Sequence, residues 1–218
     1  MATTHRVYIW ELPVRITHWV NAITIVILSV TGYYIGSPFF DSPNDDSLLP
    51  MALMRFIHFV AAYAFTASVL FRIYWWFAGN EYARLNQFIP TSMGRVQNAV
   101  QTGLFYGFLE DHIPHSPGHT GMAGIAYFFL FMMFLFLIFS GFAMLHLANG
   151  GGLIYTIGGG WMLSVMNAGT LRMLHHVLMW IIWAFVIFHI YIGWHNDIVE
   201  RNGLVSSIFS GYKFFGKH

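Results

Sequence analysis

The chain has 218 residues, of which 57% are hydrophobic, 19% aromatic and only 9% charged, with a mean hydropathy of +0.59. A soluble domain carries roughly a quarter charged residues, so the composition excludes an ordinary soluble enzyme. It points to a helical membrane protein, because the apolar runs are continuous rather than alternating. A net charge of +1 gives nucleic acid nothing to bind, and a sequence without cysteine excludes disulfides and thiolate-held metals, leaving twelve histidines as the soft ligands.

Residues 1–15 form a polar-aromatic arm in which Tyr8 and Trp10 suit an interface and Pro13 suits a helix start. The first predicted span runs over about 16–35. It contains His18 and Asn21 and lacks a small-x-small cleavage pattern, so it reads as retained. An acidic loop with Asp41, Asp45 and Asp46 leads to a second span over about 51–77, with Arg55, His58 and Arg72 inside or near its ends. A long polar connection follows. Within it Met93, Val96, Val100, Leu104 and Phe108 recur at helical spacing, which predicts an interfacial amphipathic helix. The third span, about 121–147, has no charged residue and one histidine, His146. A glycine-rich loop over 149–169, uncharged but bearing Tyr155 and Trp161, precedes the fourth span at about 171–192 and a polar tail with Arg201, Lys213 and Lys217. The expected fold is a single all-α membrane domain over 1–218, a four-helix bundle enclosing two stacked b haems.

The haem expectation rests on histidine depth. Four spans put both termini on one side. Eight of the ten Lys/Arg residues fall with the termini and the long connection and only Arg55 and Arg172 fall opposite, so both termini are expected in the cytoplasm. His18 then lies near the inner side and His58 near the outer side. In the fourth span His175 and His189 stand fourteen residues apart, four turns less about 40°, so both point one way with ~21 Å of rise between them. Ionisable groups at two depths on one face of a membrane helix call for a function. By depth the four sort into an outer pair, His58 with His175, and an inner pair, His18 with His189, each able to supply both axial nitrogens of a b haem. His176 is rotated away from that face and is the weaker outer candidate. His146 sits at an outer helix end, and His195 falls among the headgroups.

Arg15, Arg55 and Arg172 each precede a proposed ligand by three residues, on the same helix face. They are candidates to hold haem propionates or, equally, to anchor helices at the interface. Arg72, fourteen residues after His58, falls at inner depth. Gly32, fourteen after His18, falls at outer depth, where a missing side chain lets a porphyrin edge approach, and Gly141 offers the same in the third span. A histidine cluster, His112, His115 and His119, precedes the third span. It reads as a solvated loop or, for proton delivery, as a neighbour of a quinone headgroup.

The stretches RITHWVNAITIVILSVTGYYIG, MRFIHFVAAYAFTASVLFRIYWWFAGNEYAR, FSGFAML and LHHVLMWIIWAFVIFHIY, with the tail GYKFFGK, resemble the b-type cytochrome subunit of membrane-bound nickel–iron hydrogenases over nearly the whole chain. That resemblance implies a four-helix cytochrome with two haem b groups on His18, His58, His175 and His189. It implies electrons taken from the iron–sulfur clusters of an outward-facing small subunit, itself paired with a large subunit, and passed to menaquinone or ubiquinone at the inner face of a bacterial cytoplasmic membrane. His119 matches a family histidine near the quinone region, followed here by Thr120 where relatives often have asparagine. Other readings of the same architecture are the cytochrome b subunit of a formate dehydrogenase or thiosulfate reductase, or a free-standing cytochrome b561-like quinone oxidoreductase. A membrane anchor without essential haem is a different class again.

Overall fold

The computed structural model describes residues 4–39, 48–112, 114, 118–149 and 152–216. Asp41, Asp45, Asp46, His115 and Lys217, which entered the sequence argument, lie outside these residues. Among the described residues, four helices are long and apolar enough to cross a membrane: α1 (Leu12–Gly36), α2 (Leu48–Ala78), α4 (Gly121–Asn149) and α6 (Ala168–Glu200). At 1.5 Å rise per residue each exceeds the ~30 Å of a hydrocarbon core. All four extend past their expected limits, α6 most of all, by eight residues beyond Ile192. There the buried Asn196 exchanges hydrogen bonds with the Tyr106 hydroxyl at 2.8 and 3.2 Å, so polar residues continue the helix after the apolar run has ended.

The amphipathic helix expected in the long connection is α3 (Met93–Tyr106). Ser92 caps it, its side chain accepting from the Arg95 amide, and Ala99 and Thr102 form its buried side. Asn98 Oδ1 accepts from the Gly121 amide at 2.7 Å and so supports the first turn of α4. Among the described residues the fold departs from all-α in one place. Residues Thr4–Tyr8 (β1) and Tyr212–Gly216 (β2) pair as an antiparallel ribbon, with Thr4 opposite Gly216 and Tyr8 opposite Tyr212. The glycine-rich stretch also differs from the expected loop. It holds a short helix α5 (Leu153–Gly158) and a 3-10 segment (Gly160–Ser164), and a further helix α7 (Leu204–Ser210) precedes β2.

The chain divides into two compact units. One comprises Met1–Thr17, Phe71–Phe131 and Val186–His218. Its centre is Ile9, Trp10, Val14 and Ala83, with Val7, Trp75, Tyr82 and Phe215 packed around them. Polar contacts lock this cluster. The Ile9 and Trp10 amides donate to the Gly211 carbonyl at 2.8 and 3.0 Å, and Trp10 Nε1 donates to Ser207 Oγ at 3.0 Å. Glu11 Oε2 accepts from Trp75 Nε1 and the Asn80 amide, both at 2.8 Å. Gly211 takes φ +89°, a left-handed turn suited to glycine, where an added Cβ would come within 2.6 Å of Tyr8 Cε2. The other unit comprises His18–Leu70 and Met132–Phe185. Its buried cluster is Ala143, Met162 and Leu171, flanked by Phe136, Phe139, Leu163 and Met166.

Candidate haem-ligand site

The second unit brings the expected outer histidines together. His58 on α2 and His175 on α6 lie within electrostatic reach of one another and of His176. Each has its Nδ1 fixed by a hydroxyl from another helix. Thr31 Oγ1 of α1 lies 2.9 Å from His58 Nδ1, and Ser140 Oγ of α4 lies 2.7 Å from His175 Nδ1.

The direction of these bonds follows from what each hydroxyl does with its single hydrogen. Thr31 Oγ1 donates to the Ile27 carbonyl at 2.7 Å, and Ser140 Oγ donates to the Leu137 carbonyl at 3.1 Å. A hydroxyl has one hydrogen and two lone pairs. In the tautomer in which that hydrogen goes to its own helix, the hydroxyl accepts from the imidazole, with the proton on Nδ1 and the free lone pair on Nε2. This is the tautomer a metal-binding histidine needs, and the hydroxyl is the outer partner that orients it. The donor set therefore fits a six-coordinate haem iron bound through two Nε2 atoms.

Gly32 and Gly141 stand beside the same rings. A Cβ on Gly32 would lie 3.2 Å from His58 Cε1, and one on Gly141 would lie 3.8 Å from His175 Cε1. The missing side chain of Gly32 leaves clearance for the His58 ring, whereas a Cβ on Gly141 would make only ordinary contact with His175. His176 behaves otherwise. Its Nδ1 is 3.0 Å from the Arg172 carbonyl one turn earlier, and its ring lies over Gly36, with Nε2 2.4 Å from where a Cβ would stand. His146 Nδ1 is buried against Gly160 without a hydrogen-bond partner. Arg55 and Arg172 are exposed.

The expected inner ligands fall in different units, His18 in the second and His189 in the first. His18 is partly buried with its ring 5.3 Å from Trp19. His189 Nδ1 lies 3.1 Å from the Tyr127 hydroxyl of α4. From there rings lead onward within the first unit: Tyr127 to His119 at 4.8 Å, then His119 to Trp10 at 4.7 Å and to Phe88 at 5.6 Å. Burial, followed by the charges of Lys213, Arg72, His189 and Arg95, holds His119 well below the usual imidazole range. Arg72 is buried at 5% exposure. Both its terminal nitrogens donate to the Ala83 carbonyl at 3.3 Å, and its guanidinium sits 5.3 Å from the Phe88 ring. Lys213, only 2% exposed, donates to the Gly118 carbonyl at 3.5 Å. Arg15 donates to the Phe209 carbonyl. His112 is exposed, His195 Nδ1 faces Asn196 Oδ1 at 3.4 Å, and among the described residues no three metal-binding side chains form a cluster.

Thr31, Ser140 and Tyr127 were absent from the sequence reading. A signal for the first was present. Thr17, Thr24 and Thr31 recur every seven residues, and all three are buried on α1, each donating to the carbonyl four residues back. A hydroxyl stripe inside an apolar helix marks a face that meets polar groups. Ser140 and Tyr127 are isolated in α4 and carry no such period.

A family model described as prokaryotic cytochrome b561 matches residues 9–211. Among curated proteins, the chain is 35% identical to a protein of Rhizobium leguminosarum bv. viciae over 96% of this chain and 89% of that protein. It is 38% identical to one of Cupriavidus necator over 95% and 87% respectively. Both are named probable Ni/Fe-hydrogenase B-type cytochrome subunit. A protein of Escherichia coli K12, named probable Ni/Fe-hydrogenase 1 B-type cytochrome subunit, is 33% identical over 96% and 92%.

Proposed function

The chain belongs to the prokaryotic cytochrome b561 family, and on that premise we propose that it is the membrane cytochrome b subunit of a nickel–iron hydrogenase. In this reading it carries electrons from the iron–sulfur clusters of an outward-facing small subunit to quinone. The observation that carries it is the pair of hydroxyl contacts, Thr31 to His58 and Ser140 to His175, which in the Nδ1-protonated tautomer turn two Nε2 lone pairs to a ligand in one unit. The near full-length similarity to proteins named as hydrogenase B-type cytochrome subunits supports the choice of partner.

When bound, haem b supplies a one-electron ferric–ferrous couple. The chain's residues hold and insulate it. His58 and His175 would ligate an outer iron and His18 and His189 an inner one, the latter pairing resting on depth along α1 and α6. Buried hydroxyls orient the ligands, and the apolar helices keep water away, which sets the potential. Arg15, Arg55, Arg72 and Arg172 are the cations available to propionates. Arg72 is the most buried of these; its guanidinium donates to a neutral carbonyl and has the Glu11 carboxylate within electrostatic reach. His119, linked through Tyr127 to His189, marks the side on which menaquinone or ubiquinone would take electrons, in the cytoplasmic half of a bacterial inner membrane.

The test is the haem content of the purified complex. Two haems per chain, b-type reduced-minus-oxidised bands, copurification with nickel–iron subunits and reduction of both haems by hydrogen are expected. A chain that carries no haem, or whose haem hydrogen does not reduce in the complex, refutes the reading.

A further inference from the structure

The glycine-rich stretch between α4 and α6 is uncharged across residues 149–169, and it does not leave the bundle as a surface loop would. It turns back along α4. A Cβ on Gly159 would stand 1.9 Å from the Phe139 carbonyl oxygen and 2.8 Å from the Ala143 amide nitrogen, so the segment lies backbone against backbone on the helix. Those contact points are six to ten residues before the end of α4 at Asn149. At 1.5 Å per residue they lie roughly 9–15 Å inside the helix end.

Non-helical backbone at that depth must satisfy its own polar groups or be covered by protein. The segment does both. The Thr156 amide donates to the Gly152 carbonyl at 2.9 Å, Gly159 to Tyr155 at 3.1 Å, Met162 to Gly159 at 2.9 Å and Met166 to Met162 at 2.9 Å. The Thr156 and Ser164 hydroxyls donate to the Gly152 and Trp161 carbonyls. Met162 packs against Ala143 and Leu171. The exposed side is mainly apolar, with Leu153 77%, Ile154 72%, Ile157 68% and Val165 71% exposed beside Thr156 and Ser164, whose hydroxyls bond within the segment. The segment carries no charged residue, which the rim of a docking site for a soluble protein would supply.

We infer that residues 153–165 form a re-entrant segment seated within the bilayer beside α4, with Leu153, Ile154, Ile157 and Val165 against lipid acyl chains. The inference rests on α4 crossing the membrane and not on the haem assignment. The segment rests on the face of α4 that carries Phe139, Phe142, Ala143 and His146, and Ser140, next in sequence to Phe139, stands ~100° further round the helix.

Because the sequence has no cysteine, Ile157→Cys or Val165→Cys accepts a single nitroxide label without further changes. The haem-loaded complex in lipid nanodiscs is probed with oxygen, which partitions into lipid, and with a water-soluble nickel chelate. Ile187→Cys on α6 and His112→Cys in the polar connection provide the lipid and water references. The oxygen-to-chelate ratio at both sites should match that of Ile187→Cys and exceed that of His112→Cys severalfold. A ratio like that of His112→Cys overturns the inference in favour of a water-exposed loop. Poor collision with both probes overturns it in favour of a protein partner. A circular dichroism spectrum and elution volume matching the parent protein show that each labelled sample is folded, and haem content is read separately, so the two readings fail independently.

Discussion

Replacing Thr31 with valine keeps the shape of the side chain and removes one oxygen, which sits 2.9 Å from His58 Nδ1. Thr31 is only 4% exposed, so water does not replace the lost acceptor. The imidazole loses its hydroxyl acceptor and keeps only the Leu28 carbonyl as an alternative, at a cost of at most about 1–3 kcal/mol. At about 1.4 kcal/mol per factor of ten, that corresponds to a roughly 5- to 150-fold weaker hold on the outer haem, close to the ~10–100-fold typical of lost outer-shell partners. The helix itself loses a hydroxyl back-bond to Ile27, which contributes little or slightly bends α1, so the variant should fold. Transfer of haem to excess apomyoglobin would run correspondingly faster for one haem of the two. The midpoint potential of that haem should rise, because an imidazole without its acceptor donates less charge to ferric iron. Thr31→Ser should restore both. An unchanged transfer rate together with an unchanged potential in Thr31→Val would refute the relay and with it the assignment of Nε2 as ligand.

Three further outcomes are expected. His175→Ala should lose the outer haem and keep the inner one, whereas His176→Ala, whose ring rests on Gly36 and the Arg172 carbonyl, should keep both in reduced-minus-oxidised spectra. Folded His119 resists protonation while the unfolded side chain takes a proton near about pH 6.5. Its contribution is therefore intact above that pH and lost as pH falls below it, so thermal stability in detergent should drop between about pH 7 and about pH 5 and drop less in His119→Phe. Gly211→Ala forces a side chain into a left-handed turn beside Tyr8 and should weaken the ribbon by about 1–3 kcal/mol, read as faster proteolysis of the arm.

The four long helices were legible because a membrane span needs only an uninterrupted apolar run, and such runs are visible residue by residue. Their ends were not. Beyond Ile192 the continuation of α6 depends on Asn196 meeting Tyr106, a residue ninety positions earlier. The histidines could be sorted by rotation because helical geometry is regular, and it is the same regularity that turns His176 from His175. The ribbon left no trace. Two five-residue strands at opposite ends of the sequence have no shared period, and nothing local tells Val7 that it faces Lys213. The glycine-rich stretch was misleading for a related reason. Glycine ordinarily marks a flexible connection, but Gly159 is needed here because two backbones touch, and only the position of Phe139 reveals it.

The ribbon between β1 and β2 also bears on how the molecule is made. Thr4 pairs with Gly216, so the first strand waits through the synthesis and insertion of every intervening helix before it finds its partner. Until then Ile9 and Trp10, both buried in the finished protein, have neither the Gly211 carbonyl nor the Ser207 hydroxyl to bond. Closure of the ribbon is thus a late event in biogenesis. A nascent chain halted before residue 212 would display an unsatisfied aromatic arm to quality-control proteases, while a finished one would hide it.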